Sequence, residues 1–352
     1  MSMRWKGGFI QTWFDPLTPG STVYGLWSWG RNASGQLGLG NITYYSSPKQ
    51  VGALTNWSSV SCGKFHTTSI KTDGTLWSWG GSFYGQLGLG NKTYYSSPKQ
   101  VGALTNWSSV SCGSRYTVSI KTDGTLWSWG RNDYGQLGLG NTTYYSSPKQ
   151  VGALTNWSSV ACGDTHTVSI KTDGTLWSWG YNAQGQLGLG NTTYKSSPNQ
   201  VGALTNWLSV ACGYYHTVSI KTNGTLWSWG YNPYGQLGLG NTTNYSSPKQ
   251  VGALTTWSSV SCGSYHTVSI KTDGTIWSWG RNTLYGQLGL GNTANYSSPK
   301  QVGALTNWSS VSCGVYHTVS TKTDGTLWSW GADNYGQLGL GNTTYYLSLI
   351  HI

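Results

Sequence analysis

The 352-residue chain is poor in charged residues, and above all in acidic ones. Aspartate and glutamate together number 9, against 20 lysines and arginines, and charged residues make up only 8% of the sequence. So few carboxylates do not provide the paired acid and base of a hydrolytic centre, and we predict that the chain is not an enzyme. The net charge of +11 comes from cations that form no run. We therefore expect a weak attraction for polyanions but no specific nucleic-acid binding.

Long hydrophobic segments are missing as well. No stretch approaches the roughly 18 to 20 apolar residues of a membrane span. Residues 1–20, MSMRWKGGFIQTWFDPLTPG, contain no apolar segment of the length that a secretory signal needs. We predict neither a membrane-spanning helix nor a signal peptide, and the compartment stays undetermined.

Glycine and aromatic residues are abundant and recur at fixed intervals. The chain has 51 glycines, 22 tryptophans and 24 tyrosines. The string GQLGLG occurs seven times at a spacing of fifty residues, with one spacing of fifty-one where Leu284 is inserted. The seven copies begin at Gly35, Gly85, Gly135, Gly185, Gly235, Gly286 and Gly336. A period of this length is typical of propellers, solenoids and arrays, in which each copy is one supersecondary unit.

Each copy carries the signals of four short strands. In the third copy, WSSVSCG and TVSIKT alternate with period two, and Asp123-Gly124 is a strong hairpin turn. TLWSWG then places Trp127 and Trp129 on one face of its strand, and Pro148 in the last segment suits an edge strand. The pattern predicts a four-stranded antiparallel sheet, with strands A to D, whose bulky tryptophan face packs against the smaller face of the next copy.

Seven such sheets closed in a ring give an all-β fold, a seven-bladed β-propeller. We predict one domain over residues 1–352. The approximate blades are 1–50, 51–100, 101–150, 151–200, 201–250, 251–301 and 302–352. A parallel β-helix is the competing fold, but its coils are shorter and do not need the hairpin turns. Residues 1–20 form a divergent leader. The segment GGFIQTWF within residues 1–26 either supplies the missing inner strands of blade one or is an attachment arm.

The repeat resembles a known one. The segment CGDTHTVSIKTDGTLWSWGYNAQGQLGLGN, residues 162–191, is similar to the repeat of the regulator of chromosome condensation family, and the resemblance covers residues 21–346. Members of that family form seven-bladed propellers, so the resemblance implies the same fold. Their functions include guanine-nucleotide exchange, chromatin docking, ubiquitin-ligase accessory roles and inhibition of beta-lactamase. The family therefore indicates the fold far better than the function.

Cysteine and histidine recur together, which raises the question of a metal site. The cysteines are Cys62, Cys112, Cys162, Cys212, Cys262 and Cys313. Equivalent positions in separate blades should be too far apart for disulfides, so we predict reduced, buried thiols. Five cysteines are followed four residues later by His66, His166, His216, His266 and His317, but the third copy has Tyr116 there. Since zinc needs three or four gathered ligands, we predict a structural role: a ring nitrogen bonds a backbone group of the neighbouring loop, and a tyrosine hydroxyl can imitate it.

The glycine-rich GQLGLGN segment does not predict a phosphate site. No Lys-Ser/Thr pair follows it, and it does not lead from a strand into a helix. We expect its glycines to allow positive φ angles in a tight C–D loop. Five of the nine acids are turn aspartates, namely Asp73, Asp123, Asp173, Asp273 and Asp324. We predict no cofactor and no metal.

The copies differ from one another mainly in two short windows, one after the Cys-Gly pair and one after WSWG. The first window contributes Lys64, Phe65, Ser114, Arg115, Asp164, Thr165, Tyr214, Tyr215, Ser264, Tyr265, Val315 and Tyr316. From the second window we select Arg31, Phe83, Tyr84, Arg131, Tyr134, Tyr181, Gln184, Tyr231, Tyr234, Arg281, Tyr285 and Tyr335. The KTDGT turn and the VGALTNW crossover hardly change.

The strand order places both variable windows on one face of the ring. In an up-and-down sheet the A–B turn and the C–D loop lie at the same end, and the constant turn and crossover at the other. Tyrosine, arginine, asparagine and serine are typical of recognition loops. We predict a binding face for a protein or a glycan on a monomeric ring. Free drift of exposed loops is the alternative explanation. A guanine-nucleotide exchange or chromatin-associated regulator, and a structural component of a viral or cell-surface particle, are the alternative functions.

Overall fold

A computed structural model of the chain describes residues 9–14 and 24–352. The regular elements in those residues are 27 β-strands, in six four-stranded sheets and one three-stranded sheet. Among the same residues no helix is long and apolar enough to cross a membrane. The prediction of an all-β, seven-bladed propeller with four-stranded antiparallel blades is confirmed.

Blade two shows the plan of a complete blade. Its strands are β4 (Trp57–Cys62), β5 (His66–Lys71), β6 (Leu76–Gly80) and β7 (Tyr95–Gln100), each antiparallel to the one before it. Strand β4 contacts the corresponding strand of the next blade, so the first strands surround the axis and the fourth strands form the rim. The proline of YSSPKQ lies in this rim strand, an edge strand as predicted.

The other complete blades repeat this plan. The innermost strands are β8 (Trp107–Cys112), β12 (Trp157–Cys162), β16 (Trp207–Cys212), β20 (Trp257–Cys262) and β24 (Trp308–Cys313). The second strands are β9 (Tyr116–Lys121), β13 (His166–Lys171), β17 (His216–Lys221), β21 (His266–Lys271) and β25 (His317–Lys322). The third strands are β10 (Leu126–Gly130), β14 (Leu176–Gly180), β18 (Leu226–Gly230), β22 (Ile276–Gly280) and β26 (Leu327–Gly331). The rim strands are β11 (Tyr145–Gln150), β15 (Lys195–Gln200), β19 (Tyr245–Gln250), β23 (Tyr296–Gln301) and β27 (Tyr346–His351).

Blade one has three described strands and meets blade seven. They are β1 (Phe9–Phe14), β2 (Tyr24–Gly30) and β3 (Tyr45–Gln50), in that order across the sheet. Strand β1 is the FIQTWF segment, paired antiparallel with β2. The rest of the predicted leader, residues 1–8 and 15–20, lies outside the described residues. Ring closure is direct, because Gly341 N–H donates to the Ser46 carbonyl at 2.8 Å.

Adjacent blades pack tryptophans against smaller aliphatic side chains. Between blades two and three, Ile70 and Leu76 contact Trp107 and Trp129 in one buried cluster. The two tryptophan rings meet edge to face at 6.0 Å between centroids. Burying a side chain of this size is worth about 1.5–3 kcal/mol. The predicted packing of a tryptophan face against a smaller face is therefore present between the blades and contributes to joining them.

A hydrogen-bonded contact, which we call the clasp, accompanies this packing. The Gln36 carbonyl, in the GQLGLG loop of blade one, accepts bonds from Thr67 Oγ1 at 2.8 Å and Trp79 Nε1 at 3.0 Å in blade two. Gly38 in the same loop has φ +75°, and a Cβ there would lie 2.7 Å from Trp79 Nε1. The carbonyls of Gln86, Gln136, Gln186, Gln236 and Gln287 accept the same two bonds from their next blades.

Four of the repeated histidines, those of blades two, four, five and six, extend the clasp. His66 Nε2 lies 2.9 Å from the hydroxyl of Thr117 in the next blade. Because that hydroxyl gives its hydrogen to the Gln86 carbonyl, the histidine nitrogen is the donor. The prediction that the histidine ring nitrogen bonds a backbone group was wrong, because its partner is a threonine hydroxyl of the next blade. The predicted imitation by tyrosine is found: the Tyr116 hydroxyl lies 3.1 Å from Thr167 Oγ1 and donates to a backbone carbonyl of the next blade.

The six cysteines form no disulfide within the described part of the chain, and they are buried beside the clasp. Thr67 Oγ1 lies 3.7 Å from Cys62 Sγ, and Cys112 N–H donates to Ser61 Oγ of the preceding blade. Burial raises the pKa of Cys112 to about 11 and that of Cys162 to about 12. These thiols are protonated at neutral pH and pack as small apolar groups.

The buried histidines predict acid sensitivity. Burial lowers the pKa of His66 and His266 to about 3 and that of His317 to about 4. In the unfolded chain they bind protons near pH 6.5, so the unfolded state binds more protons below that pH. Each should therefore reduce the free energy of unfolding by about 1.4 kcal/mol per pH unit as pH falls below 6.5.

Substitution of one histidine isolates this effect. The His266→Tyr variant should fold, since Tyr116 occupies the same place in blade three, and should take up about one proton fewer on unfolding at pH 5. Denaturant unfolding of the parent and the variant at pH 7.5, 6 and 5 measures the difference. Equal pH dependence of the two proteins would show that His266 is not the proton acceptor.

Candidate binding face

The two variable windows of each complete blade lie side by side. In blade two, Gly81 N–H donates to the Phe65 carbonyl at 2.7 Å, and the Phe65 and Phe83 rings are 5.9 Å apart. The same backbone hydrogen bond joins the two windows in the other complete blades. Its donor N–H and acceptor carbonyl belong, respectively, to Arg131 and Arg115, Tyr181 and Thr165, Tyr231 and Tyr215, Arg281 and Tyr265, and Ala332 and Tyr316. We call the surface formed by these windows the variable face.

The first residue after each Cys-Gly pair lies near the axis. Backbone bonds join some of these residues in successive blades: Lys64 N–H donates to the Ser114 carbonyl and Tyr214 N–H to the Ser264 carbonyl, both at 3.2 Å. Together they line a central cavity of about 430 Å³ that opens on the variable face. Its ring of first-window residues is Lys64, Ser114, Asp164, Tyr214, Ser264 and Val315. We call this the axial cavity.

The second-window residues and the outer first-window residues form a belt around the cavity, in which arginines lie between aromatic rings of different blades. The Arg115 guanidinium carbon is 5.2 Å from the Phe65 ring centroid and 5.5 Å from that of Tyr84. Arg131 lies 5.5 Å from Tyr84 and 5.9 Å from Tyr134 in the same way. Cation–π contacts of this kind contribute roughly 0.5–1 kcal/mol at exposed sites, so they restrict the motion of the arginines.

Tyrosines continue the belt through blades four to seven. The Tyr181 and Tyr215 ring centroids are 5.3 Å apart, and Tyr214 is 5.8 Å from Tyr265. Arg281 follows, 5.8 Å from the Tyr265 ring. Burial raises the pKa of Tyr181, Tyr214 and Tyr265 to about 12, so their hydroxyls are neutral hydrogen-bonding groups at physiological pH. The belt comprises Arg31, Phe65, Tyr84, Arg115, Arg131, Tyr134, Tyr181, Tyr215, Tyr231, Tyr234, Tyr265, Arg281, Tyr285, Tyr316 and Tyr335.

The remaining predicted residues differ in accessibility. Phe83 and Tyr335 are the most exposed aromatic residues among those predicted, at 49% and 41%. Gln184 accepts a bond from Asn244 Nδ2 at 2.9 Å. Ser114, Asp164 and Ser264 are buried but line the axial cavity. Thr165 is buried at 3% exposure and does not line it, so it is not available to a partner in this structure.

Sequence reasoning missed a set of exposed tyrosines that join the belt. Tyr94 lies 4.7 Å from Phe83 and Tyr144 lies 5.2 Å from Tyr84, measured between ring centroids. The full set is Tyr44, Tyr94, Tyr144, Tyr194 and Tyr345, each in contact with a second-window ring. Two copies carry Asn244 and Asn295 at this position, and that difference was the available signal.

Comparisons with known proteins agree with this geometry. The model of the RCC1-like domain matches residues 21–208, more than half of the chain. The chain belongs to the RCC1-like family. Two models of the regulator of chromosome condensation (RCC1) repeat match the later blades of this RCC1-like chain, one at 223–270 and 273–320 and the other at 207–236, 257–287 and 308–337. A search of curated protein sequences finds no match.

Solved structures show the same fold at low sequence identity. Human WBSCR16 is 24% identical, with a TM-score of 0.83 over 93% of this chain and 94% of that one. Yeast RCC1 (Prp20) bound to Kap60 is 20% identical, with a TM-score of 0.80 over 92% of this chain and 82% of that one. Prp20p from Saccharomyces cerevisiae gives 21% and 0.82 over 92% and 84%. These structural similarities show that the RCC1-like chain shares its fold with these proteins.

The face opposite the variable one is constant for a structural reason. In blade three, Asp123 Oδ1 accepts bonds from Thr125 N and Oγ1 at 2.9 and 2.6 Å, and Trp127 Nε1 donates to the same threonine hydroxyl at 2.9 Å. Lys121 Nζ lies 3.8 Å from the Trp127 ring centroid. Gly124 has φ +76°, and a Cβ there would lie 2.0 Å from a crossover carbonyl oxygen. These bonds and contacts are enough to keep the turn of this RCC1-like repeat constant. The constancy of the turn is therefore no argument that the variation on the other face arose by selection rather than by drift.

Two copies depart from a buried asparagine motif of the second window, blade two with Ser82 and blade seven with Asp333. In blade three, Asn132 Oδ1 accepts the Leu137 N–H at 2.9 Å, while its Nδ2 donates to the Asn141 and Thr143 carbonyls at 2.9 and 3.0 Å. Blade seven of the RCC1-like chain has Asp333 instead, fully buried. Its Oδ1 accepts the corresponding N–H and its Oδ2 has no partner among the described residues. Burial raises the pKa of Asp333 to about 7.

The Asp333→Asn variant should therefore be more stable than the parent, by an amount that depends on pH. The unfolded aspartate ionises near pH 3.8, whereas the folded one stays protonated up to about 7. The free energy of unfolding of the parent thus falls by about 1.4 kcal/mol for each pH unit as the pH rises over that interval. Denaturant unfolding at pH 4.5 and 8 should show a larger advantage of the variant at pH 8. As a matched control, Asn232→Asp should introduce the same pH dependence in blade five, and a pH-independent gain would refute the explanation.

Proposed function

We propose that the chain is a non-catalytic docking module that binds a macromolecular partner, a protein in the first instance, through the variable face. The observation that carries the proposal is the continuity of the belt, which passes through side chains of all seven blades on one side of the ring. A glycan is the second class of partner, because exposed aromatic rings also stack on sugars.

The chemistry of the belt suits protein recognition. Tyrosine and arginine are enriched among the residues that contribute most to protein–protein binding, and a tyrosine orders only two side-chain torsions on binding. The ring contacts around Arg115 and Arg281 already restrict both guanidinium groups. Binding therefore requires less additional ordering than it would on a flexible loop surface.

The relatives support a protein as the class of partner. Prp20 has been solved in complex with Kap60 and studied for its binding to Gsp1p and histones. These partners belong to that protein. An exchange factor would need a protruding wedge or loop, and no copy of the repeat here carries more than one extra residue, Leu284. This favours docking without exchange.

The proposal predicts that tyrosines on the variable face are required for capture. Replacing Tyr214, Tyr215, Tyr231 and Tyr234 together by serine should weaken partner binding at least tenfold, because truncation of a single hot-spot residue, a class enriched in tyrosine, costs about 2 kcal/mol or more. Protein pull-down and a glycan array, both run with the intact chain and with this variant, measure the effect.

The opposite face offers a matched control. Leu104, Leu154, Leu204 and Leu254 are exposed by 47–48% in the constant crossovers. Their replacement by serine removes four exposed apolar side chains from the other side of the ring and should leave capture unchanged. Equal capture by the tyrosine variant and the parent, or a loss confined to the leucine variant, would contradict the assignment of the variable face.

A further inference from the structure

The positive charges of the variable face are concentrated in one sector. The described variable windows of blades one and two contain Arg31 and Lys64 but no acidic residue, and the first window of blade three adds Arg115. Blades four and five, by contrast, have no lysine or arginine in either window. Cations therefore characterise the side of blades one to three, and tyrosines the side of blades four and five.

Three cations from successive blades lie around one aromatic ring. The Arg31 guanidinium carbon is 6.0 Å from the Phe65 ring centroid, Lys64 Nζ is 5.4 Å from it and the Arg115 guanidinium carbon 5.2 Å. We call Arg31, Lys64 and Arg115 the cationic cluster. At Arg281 the arrangement is reversed, since one guanidinium carbon lies 5.1–5.8 Å from the centroids of three tyrosine rings. Like charges gathered in this way repel one another, and a bound anion relieves the repulsion.

No carboxylate in the described part of the chain forms an ion pair with the cationic cluster. Asp133 pairs with Arg131 instead, and Asp164 and Asp333 are buried. These three are the acidic residues of the described variable windows. The cluster is therefore a group of cations without a counter-charge on the variable face, and it attracts an external anion.

The cationic cluster lies on an open surface that also presents aromatic rings. Lys64 is exposed, and Arg31 and Arg115 are partly exposed. Beside the Phe65 ring, Phe83 and Tyr94 are exposed by 49% and 42%. A ligand at this place can contact charged groups and apolar ring surface together.

The lysines of the rim differ from the cluster in arrangement. Lys99 in rim strand β7 is one example, with its Nζ 5.6 Å from the Tyr95 ring centroid. A lysine on an edge strand discourages pairing with another sheet, which is a structural reason for the rim charges. The members of the cationic cluster lie in loops between strands, so protection of an edge does not account for them.

We propose that the cationic cluster binds an acidic peptide segment of the partner protein. Neighbouring carboxylates of the segment accept hydrogen bonds from Lys64, Arg115 and Arg31, and its apolar atoms contact the Phe65 and Phe83 rings. The proposal rests on the proposed function for the use of the variable face, and it deepens that function by naming the chemistry that one sector recognises.

The arrangement of the sector favours a peptide over other anions. The cations come from three blades, so a ligand with several separate carboxylates matches them better than a single ion does. Guanidinium and ammonium groups bond carboxylates strongly, and the aliphatic part of a glutamate side chain suits the ring surface. A nucleic acid would need cations along the path of its backbone, and the windows of blades four and five have none.

The test measures binding of a fluorescent oligoglutamate peptide, blocked at both ends, to the purified full chain by fluorescence anisotropy. Oligoglutamate should bind with an affinity that falls as salt rises, because the contacts are between exposed charges. A blocked oligoglutamine peptide of equal length should not bind. Inorganic phosphate, added as a competitor, should displace oligoglutamate only at far higher concentration.

Variants of the cluster should weaken this binding. Lys64→Gln together with Arg115→Gln should reduce the affinity for oligoglutamate by about tenfold or more, since a hydrogen bond to a charged group contributes about one order of magnitude. Lys64→Gln alone changes an exposed side chain and should reduce the affinity by about threefold. The single variant keeps the test valid should the double variant fail to fold.

Two matched controls remove the same charges elsewhere. Lys99→Gln removes a rim lysine of blade two that also lies beside an aromatic ring, and Arg281→Gln removes an arginine of the variable face outside the cluster. Both should leave the affinity for oligoglutamate within about twofold of the parent, because exposed charges at a distance are screened.

The outcomes separate this proposal from the docking function. Absence of oligoglutamate binding, an equal loss in Lys99→Gln and the cluster variants, or tighter binding of phosphate would overturn the acidic-peptide site. The variant in which Tyr214, Tyr215, Tyr231 and Tyr234 are serine should still bind oligoglutamate, since these tyrosines lie outside the cluster, but should lose partner capture. Lost capture without oligoglutamate binding would contradict the peptide site alone, and retained capture with oligoglutamate binding would contradict the docking function alone.

Discussion

The clasp between each glycine-rich loop and the next blade is the interaction on which the rest of this structure depends. One backbone carbonyl, such as that of Gln36, receives a threonine hydroxyl and an indole N–H from the following blade. The loop can approach so closely only because Gly38 has no side chain to meet the indole. At four junctions a buried histidine then bonds this threonine from the preceding blade. Repetition of this unit fixes the angle between blades and hence the spacing of every loop on the variable face.

Fixing the loop backbone in this way leaves certain side chains free to differ. Some of the positions that vary, such as those of Lys64 and Phe83, are exposed, and they take no part in the clasp. The constant turn is different, since Asp123, Thr125 and Trp127 bond one another there. The difference in sequence variation between the two faces therefore has, in part, a structural cause. The support for binding comes instead from the belt itself, where guanidinium groups and rings of different blades form one surface.

Much of the fold could be predicted from the sequence, because strand signals and the repeat count depend on local patterns. The alternation around Trp127 and Trp129, the DG turn and the edge proline all occupy the predicted places. Long-range partners could not be predicted. Nothing local indicates that His66 would find Thr117, fifty-one residues away, rather than a backbone group. The exposed tyrosines such as Tyr94 were missed because their window looked constant, and Thr165 was included although its small side chain is buried.

The central claim is that the clasp carries the fold while the variable face is free for binding. A stability scan of single substitutions across the whole chain, read out by protease resistance, tests it most directly. Substitutions at exposed variable positions such as Lys64 and Phe83 should change the free energy of unfolding by about 0.5 kcal/mol or less, as is usual for surface sites. Substitution of Gly38 or Thr117 in the clasp should destabilise the chain by several times that amount, about 2 kcal/mol or more. Similar losses at both sets of positions would contradict the account.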